Sequence, residues 1–251
     1  VGGADERRLL GVVPGGPRHA GRREHYEARR RAGRVAVRLQ RLRELIHALD
    51  VERLALAPAL LVGAPRSGTT WLQRLLLHHP GCCGGQETHW FVHLDAIARE
   101  ARRKLAMPRP HGVLCHLDEN DFDAMLRRTW IEVATPAIEA APAATVLLEK
   151  TPDHARHLDL VDRLLPRSKV VHLVRRPEEV VASLLAASRT DWGRSWAPGS
   201  VESAARSWID SVEAAEASGA RLGPTRFLRV RHDELSNAPQ KTLSRVLAFL
   251  D

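Results

Sequence analysis

The sequence predicts an α/β protein, a central parallel sheet flanked by helices. Three observations predict it. From about residue 58 onward, short apolar runs suited to strands buried on both faces alternate with helical stretches, the pattern of repeated βα units. A turn of small residues, Gly63-Ala64-Pro65-Arg66-Ser67-Gly68, joins the leading apolar run to the helix after it. Polar and charged residues gather where successive runs end, which is where open parallel sheets hold ligands.

Residues 1–21 carry Gly and Pro and read as loop. Residues 22–57 are Arg-rich, with Val35, Leu39, Leu42, Leu45, Ile46 and Leu49 at helical spacing, which predicts one or two amphipathic helices. The chain therefore divides into a helical, basic N-terminal segment, 1–57, and an α/β domain, 58–251. In that domain Ala59–Gly63 is a buried strand and Ser67–His79 the following helix. Residues 81–86 form a short loop or strand. Residues 90–140 read as mostly helical, broken by Pro108, Pro110 and Pro136. Thr145–Glu149 is a second apolar strand, His154–Leu165 a helix, and Lys169–Val174 a third strand running into a helix over Glu178–Ser188. A further helix spans 200–219, Arg226–Val230 is a fourth strand, and Pro at 239 opens a last helix ending near Leu250.

Of the 251 residues 44% are hydrophobic, enough for a packed core and against wholesale disorder. The formal net charge of +8 suggests an anionic partner: a nucleotide, a polyanion, an acidic carrier or a membrane surface. Cys82, Cys83 and Cys115 match neither a disulfide framework nor a metal-ligand spacing, so a cytoplasmic location is expected. No apolar run nears the ~18 residues of a membrane-spanning helix.

The turn at 63–70 has the layout of an anion cradle. Backbone N–H groups at a helix N-terminus point at a bound anion, and the helix dipole favours negative charge there. The interval from Gly63 to Gly68 fits the first half of the P-loop pattern G-x-x-x-x-G-K-[ST], so a P-loop-like nucleotide-binding topology is expected. The lysine of that pattern is missing: Thr69 stands in its place, and the cation is Arg66, two residues before Gly68. A triphosphatase uses that lysine on the β- and γ-phosphates. A loop with an internal arginine and two threonines instead suits a donor with no γ-phosphate.

Three more segments stand at strand ends: Gly85-Gln86-Glu87-Thr88-His89-Trp90-Phe91, Leu148-Glu149-Lys150-Thr151-Pro152-Asp153-His154, and Val174-Arg175-Arg176-Pro177 with Ser183 eight residues after Arg175. Together with the cradle, the Glu-x-His-x-Phe, Glu-Lys-Thr-Pro and Arg-x-Pro…Ser segments resemble sulfotransferases that use 3′-phosphoadenosine 5′-phosphosulfate (PAPS). The branch resembled includes heparan-type sugar sulfotransferases and many bacterial enzymes. Val230-Arg231-His232-Asp233-Glu234-Leu235 is similar to that family's late strand and the box after it, and the resemblance covers about residues 58–251.

The resemblance implies transfer of a sulfuryl group from PAPS to an acceptor hydroxyl or amine, leaving adenosine 3′,5′-bisphosphate, with no metal required. It implies that Arg66, Ser67, Gly68, Thr69 and Thr70 hold the 5′-phosphosulfate, that Trp71 stacks on adenine, and that Arg175 and Ser183 take the 3′-phosphate. It makes Glu87 the general base and Lys150 the cation on the transferring group, with His89 orienting the acceptor or Glu87. Trp90, Phe91, Trp192, Trp196 and Trp208 are candidates for either an acceptor pocket or packing, and His154 for a capping or core role. Two positions depart from the family: Arg176 replaces an Asp common between Arg and Pro, and Val92 an Asp common in sugar-modifying members. The acceptor stays open among small molecules, lipids and glycans, and residues 90–145 are expected to form its wall. No nucleic-acid partner is expected. Two other readings remain: a P-loop small-molecule kinase, and a basic nucleic-acid- or carrier-binding module using the Arg-rich start.

Overall fold

The structure is a computed structural model that describes residues 56–251. The helices expected in the basic segment lie outside the described residues. Five strands form one sheet: β1 (Ala57–Val62), β2 (Cys82–Gly84), β3 (Val146–Glu149), β4 (Lys169–Val174) and β5 (Phe227–Arg231), in the order β2-β3-β1-β4-β5, every pair parallel. The helices are α1 (Thr69–Leu76), α2 (Trp90–Leu105), α3 (Glu119–Glu139), α4 (Leu158–Leu164), α5 (Pro177–Ser188), α6 (Val201–Leu222), α7 (His232–Asn237) and α8 (Pro239–Leu250). This is the parallel, helix-flanked sheet the alternation predicts.

The strands read as continuous apolar runs because both faces of the sheet are covered. Successive side chains point to opposite faces. Leu60 and Val62 of β1 enter a core with Phe91, Leu94, Phe122, Trp130, Leu158 and Leu164, while Ala59 and Leu61 enter a second core with Leu72, Leu76, Leu173, Val230 and Val246. Residues 90–140 therefore supply much of the first core: Phe91 and Phe122 are wholly buried and Trp130 nearly so.

Local chemistry explains where element ends differ from expectation. The helix after β1 starts at Thr69, not Ser67, because Gly68 takes a left-handed conformation (φ 96°) that fixes the cap. Pro136 does not break α3 but sits near its C-terminal end, where the missing N–H removes a single intrahelical bond. The stretch 154–165 divides into a 3₁₀ turn, Pro152–Arg156, and α4. Helix α7 was not predicted; it follows directly on β5, with Leu235 buried in the second core.

This topology places the site. The chain leaves β1 toward the β2–β3 side of the sheet and leaves β4 toward β5. The loops after these two neighbouring strands thus diverge at their carboxyl ends, and a crevice opens between them.

Candidate active site

The cradle is built by close approach. A Cβ on Gly63 would lie 2.4 Å from the Leu173 carbonyl oxygen, so only glycine lets β1 exit this tightly against β4. At Gly68 the positive φ and a Cβ position 2.7 Å from His232 Cδ2 impose the same requirement. Arg66 also sits in the left-handed region (φ 74°), a conformation uncommon for a residue with a side chain and concentrated at functional sites. The Ser67 amide donates to the Ala64 carbonyl at 3.1 Å and closes the turn. The Ser67 hydroxyl is buried with no partner. In the first turn of α1 the amides of Thr69 and Thr70 have no intrahelical acceptor.

This loop forms one wall of a cavity of ≈ 660 Å³. Arg66, Gly68, Thr69, Thr70, Trp71, Glu87, His89, Arg175 and Ser183 all line it, so residues distant in sequence converge on one crevice. Ser67 and Lys150 are buried behind the wall. Lys150, at the end of β3, donates through Nζ to Thr70 Oγ1 at 3.2 Å and forms a short ion pair with Glu87. Facing a buried ammonium, the carboxylate is an acceptor only. His89, in a left-handed conformation (φ 52°), brings Nε2 to 3.5 Å from Glu87 Oε2.

On the opposite side Arg66 Nε donates to Ser183 Oγ at 3.0 Å, and Arg175 Nη1 to the Arg66 carbonyl at 3.3 Å. Arg175 and Arg176 share one carboxylate, Glu179. Arg175 Nε lies 2.7 Å from it, Arg176 closes on its other oxygen, and the two guanidiniums, Arg175 first, hold Glu179 below the usual carboxylate range. Arg176 is 69% exposed and does not line this cavity; it shares Glu179 with Arg175 from outside.

The aromatic candidates separate. Trp71, Trp192 and Trp196 line the cavity at 39%, 57% and 43% exposure. Phe91 is core, Trp90 packs against the core, and Trp208 donates Nε1–H to the Arg175 carbonyl at 3.1 Å. No residue of 90–145 lines this cavity, whereas Trp192 and Trp196 do. His154 has the packing role: it is wholly buried, its Nε2 accepts the Phe91 N–H at 3.3 Å, and burial pushes its imidazole down to about 3.

Sequence reasoning missed His232, which sits under Gly68 with its ring 5.7 Å from that of Trp71. It also missed Glu179, although the four-residue step from Arg175 onto a helix N-terminus was visible. Free cysteines Cys82 and Cys83 are buried and Cys115 is exposed. Among the described residues no helix is long and apolar enough to cross a membrane.

A parallel sheet with a glycine-bearing loop at its switch point, faced by a buried lysine paired with an exposed carboxylate on one side and arginines on the other, defines an α/β protein of P-loop-like topology. Within that class the chain belongs to the sulfotransferase family, whose model matches residues 58–251. It is 27% identical over 219 residues to nodulation protein NoeE of Sinorhizobium fredii, covering 80% of this chain and 51% of that protein. It is 25% identical over 188 residues to protein-tyrosine sulfotransferase 2 of Gallus gallus, covering 75% and 49%. The chain thus spans about half the length of these curated relatives. Among solved structures the sulfotransferase domain from the curacin biosynthetic pathway superposes with a TM-score of 0.54 at 20% identity, over 78% of this chain and 74% of that one. That likeness is one of fold.

Proposed function

We propose that this chain transfers a sulfuryl group from PAPS to the hydroxyl or amine of a small-molecule, lipid or glycan acceptor, releasing adenosine 3′,5′-bisphosphate. The observation that carries the reading is the convergence of Arg66, Thr70, Glu87, Lys150, Arg175 and Ser183 on one crevice of a sulfotransferase-family domain.

The residues present fit the donor. The unpartnered Ser67 hydroxyl, the unclaimed first-turn amides and the Arg66 guanidinium offer donors for a 5′-phosphosulfate. Arg175 and Ser183 face the same cavity and suit a 3′-phosphate, for which a planar guanidinium is the matching group. Trp71 presents a half-exposed ring on which adenine stacks, worth roughly 1–3 kcal/mol.

When bound, PAPS supplies an activated sulfuryl group on a phosphate leaving group. Glu87 takes the proton of the acceptor hydroxyl. Lys150, held within reach of both Glu87 and Thr70, places its ammonium where negative charge develops, and fixed charges of this kind are often the largest catalytic effect. His89 steadies Glu87 from the solvent side. The mechanism calls on no metal. The free cysteines accord with a cytoplasmic setting.

Thermal-shift titration tests the donor assignment, since a ligand bound only to the folded state stabilises by RT ln(1 + [L]/Kd). Adenosine 3′,5′-bisphosphate raises the midpoint, and ATP with Mg²⁺ raises it less. Stabilisation by ATP–Mg²⁺ alone would reject the reading in favour of a kinase. DNA retention without nucleotide binding would favour a basic binding module.

A further inference from the structure

The segment that carries Glu87 makes no strand pairing of its own: β2 ends at Gly84 and α2 begins at Trp90. Its backbone amides are instead claimed by side chains from the segment after β3. Thr151 Oγ1 accepts the N–H of Thr88 at 3.2 Å and of His89 at 3.3 Å. The same hydroxyl donates its single proton to Glu149 Oε1 at 2.8 Å, which leaves its lone pairs for the two amides. Two residues beyond His89, the Phe91 amide donates to His154 Nε2. With Nε2 accepting, the imidazole proton is on Nδ1, which faces Glu149 Oε1 across 3.6 Å. Glu149, Thr151 and His154 are 7%, 0% and 0% exposed, so water does not compete for these bonds. Between them in sequence Lys150 points the other way, to Glu87 and Thr70.

Two buried side chains, Thr151 and His154, thus grip three amides at and just after the loop that presents Glu87, with Glu149 behind Thr151, while their chain neighbour Lys150 grips the carboxylate itself. The bonds also account for a local cost. His89 has a side chain in a left-handed conformation, which persists only where the surroundings over-determine it.

We infer that Thr151, oriented by Glu149 and flanked by His154, is a positioning residue: its hydroxyl sets the register of the Glu87 loop against Lys150 and the cradle. The inference rests on the sulfotransferase reading for what Glu87 does, but not for how the loop is held.

Two readouts on the full chain test it. The first is amide hydrogen exchange. Thr151→Val removes the acceptor, and the Thr88 and His89 amides then exchange at least about tenfold faster while the β1 amides keep their protection. Thr151→Ser retains the hydroxyl and keeps the slow exchange; Thr151→Ala repeats the valine result should Thr151→Val fold poorly. Unchanged exchange at residues 88 and 89, or loss spread through β1, overturns the inference. The second readout is release of labelled sulfate from PAPS with water as acceptor. In that step the bond from sulfur to the phosphate oxygen breaks, a bond to the water oxygen forms, and the proton leaves to Glu87. Thr151→Val lowers kcat about 100-fold with donor KM nearly unchanged, because an ångström of misplacement costs on the order of 10² in rate. Thr151→Ser restores kcat, and in a Glu87→Gln background Thr151→Val adds no further loss. Additive losses overturn the inference by making Thr151 a stability residue only. If Glu87→Gln leaves release intact, the functional reading fails and the exchange result stands. If Glu87→Gln abolishes release and Thr151→Val does not lower it, positioning fails alone.

Discussion

The two sides of the crevice expose their charges alike, Glu87 at 35% and Arg175 at 28%, but support them in opposite ways. On the β3 side Lys150 is 4% exposed, Glu149 7%, and Thr151 and His154 are wholly buried, each tied to a defined partner or backbone amide. On the β4–β5 side the charges are wet. Arg175, 28% exposed, lines the cavity; outside it Glu179 is 30% exposed, Arg176 69%, and Arg231, paired with Asp233, 58%. What is buried on the β3 side is the frame behind Glu87, since Glu87 itself is 35% exposed and opens on the cavity; a frame of buried hydrogen bonds holds such a group in place. Capture and release of a multiply charged anion needs donors that can change partners, and exposed ion pairs worth at most ~1 kcal/mol allow it.

The contrast breaks most readily at Glu87. Glu87→Gln keeps the shape of the β3 side but removes its proposed base, and turnover should fall by roughly 10²–10⁴-fold while affinity for adenosine 3′,5′-bisphosphate is kept. Turnover with labelled PAPS beside nucleotide titration measures both, and intact turnover would strip Glu87 of its role.

Arg175→Ala acts on the exposed side and should have the opposite profile. Loss of a charge-assisted bond worth about 1.5–3 kcal/mol weakens the bisphosphate by roughly 10–100-fold. Adenosine 5′-phosphate, without the 3′-phosphate, should weaken far less. Equal losses for the two nucleotides would show that Arg175 does not read the 3′ end.

A smaller effect concerns stability and pH. Each side has one buried imidazole: His154, pushed down to about 3, and His172 in β4, pushed down to about 4, burial being the first cause in both. Against an ordinary value of 6.5, the unfolded chain binds more protons than the folded one once pH falls below it. The stabilisation from these neutral histidines is therefore complete above about pH 6.5 and declines as pH drops toward 4. Burial raises Glu149 and works the other way, easing the native state in acid. Thermal melts should show a lower midpoint at pH 5 than at pH 7, and His172→Gln should flatten that slope by ~1–2 kcal/mol. An unchanged slope in His172→Gln would mean that the histidine is not held neutral.

Much of the fold was legible because its signals are local. Leu60-Leu61-Val62 and Lys169–Val174 read as strands buried on both faces, and the Gly63–Gly68 interval marks the tight turn between β1 and α1. What stayed hidden depends on pairing across the sheet. Nothing near Thr151 in sequence shows that its hydroxyl serves the amides of Thr88 and His89, since that follows from β2 and β3 lying side by side. Helix α7 was missed because His232–Asn237 is short and polar and is fixed mainly by burying Leu235. The prolines and charges of 90–145 masked how much of the core these residues supply. Their apolar positions, Phe91, Leu94, Phe122 and Trp130, face the sheet.

Of the six tryptophans in the chain, three stand at the mouth of one cavity, and the Arg66 guanidinium lies 5.7 Å from the Trp192 ring centre. Indole emission responds to nearby charge and to displaced solvent, so this arrangement gives the native chain a built-in optical gauge. Anything that enters between the cradle and those rings reports its own arrival, with no label attached and no acceptor yet in hand.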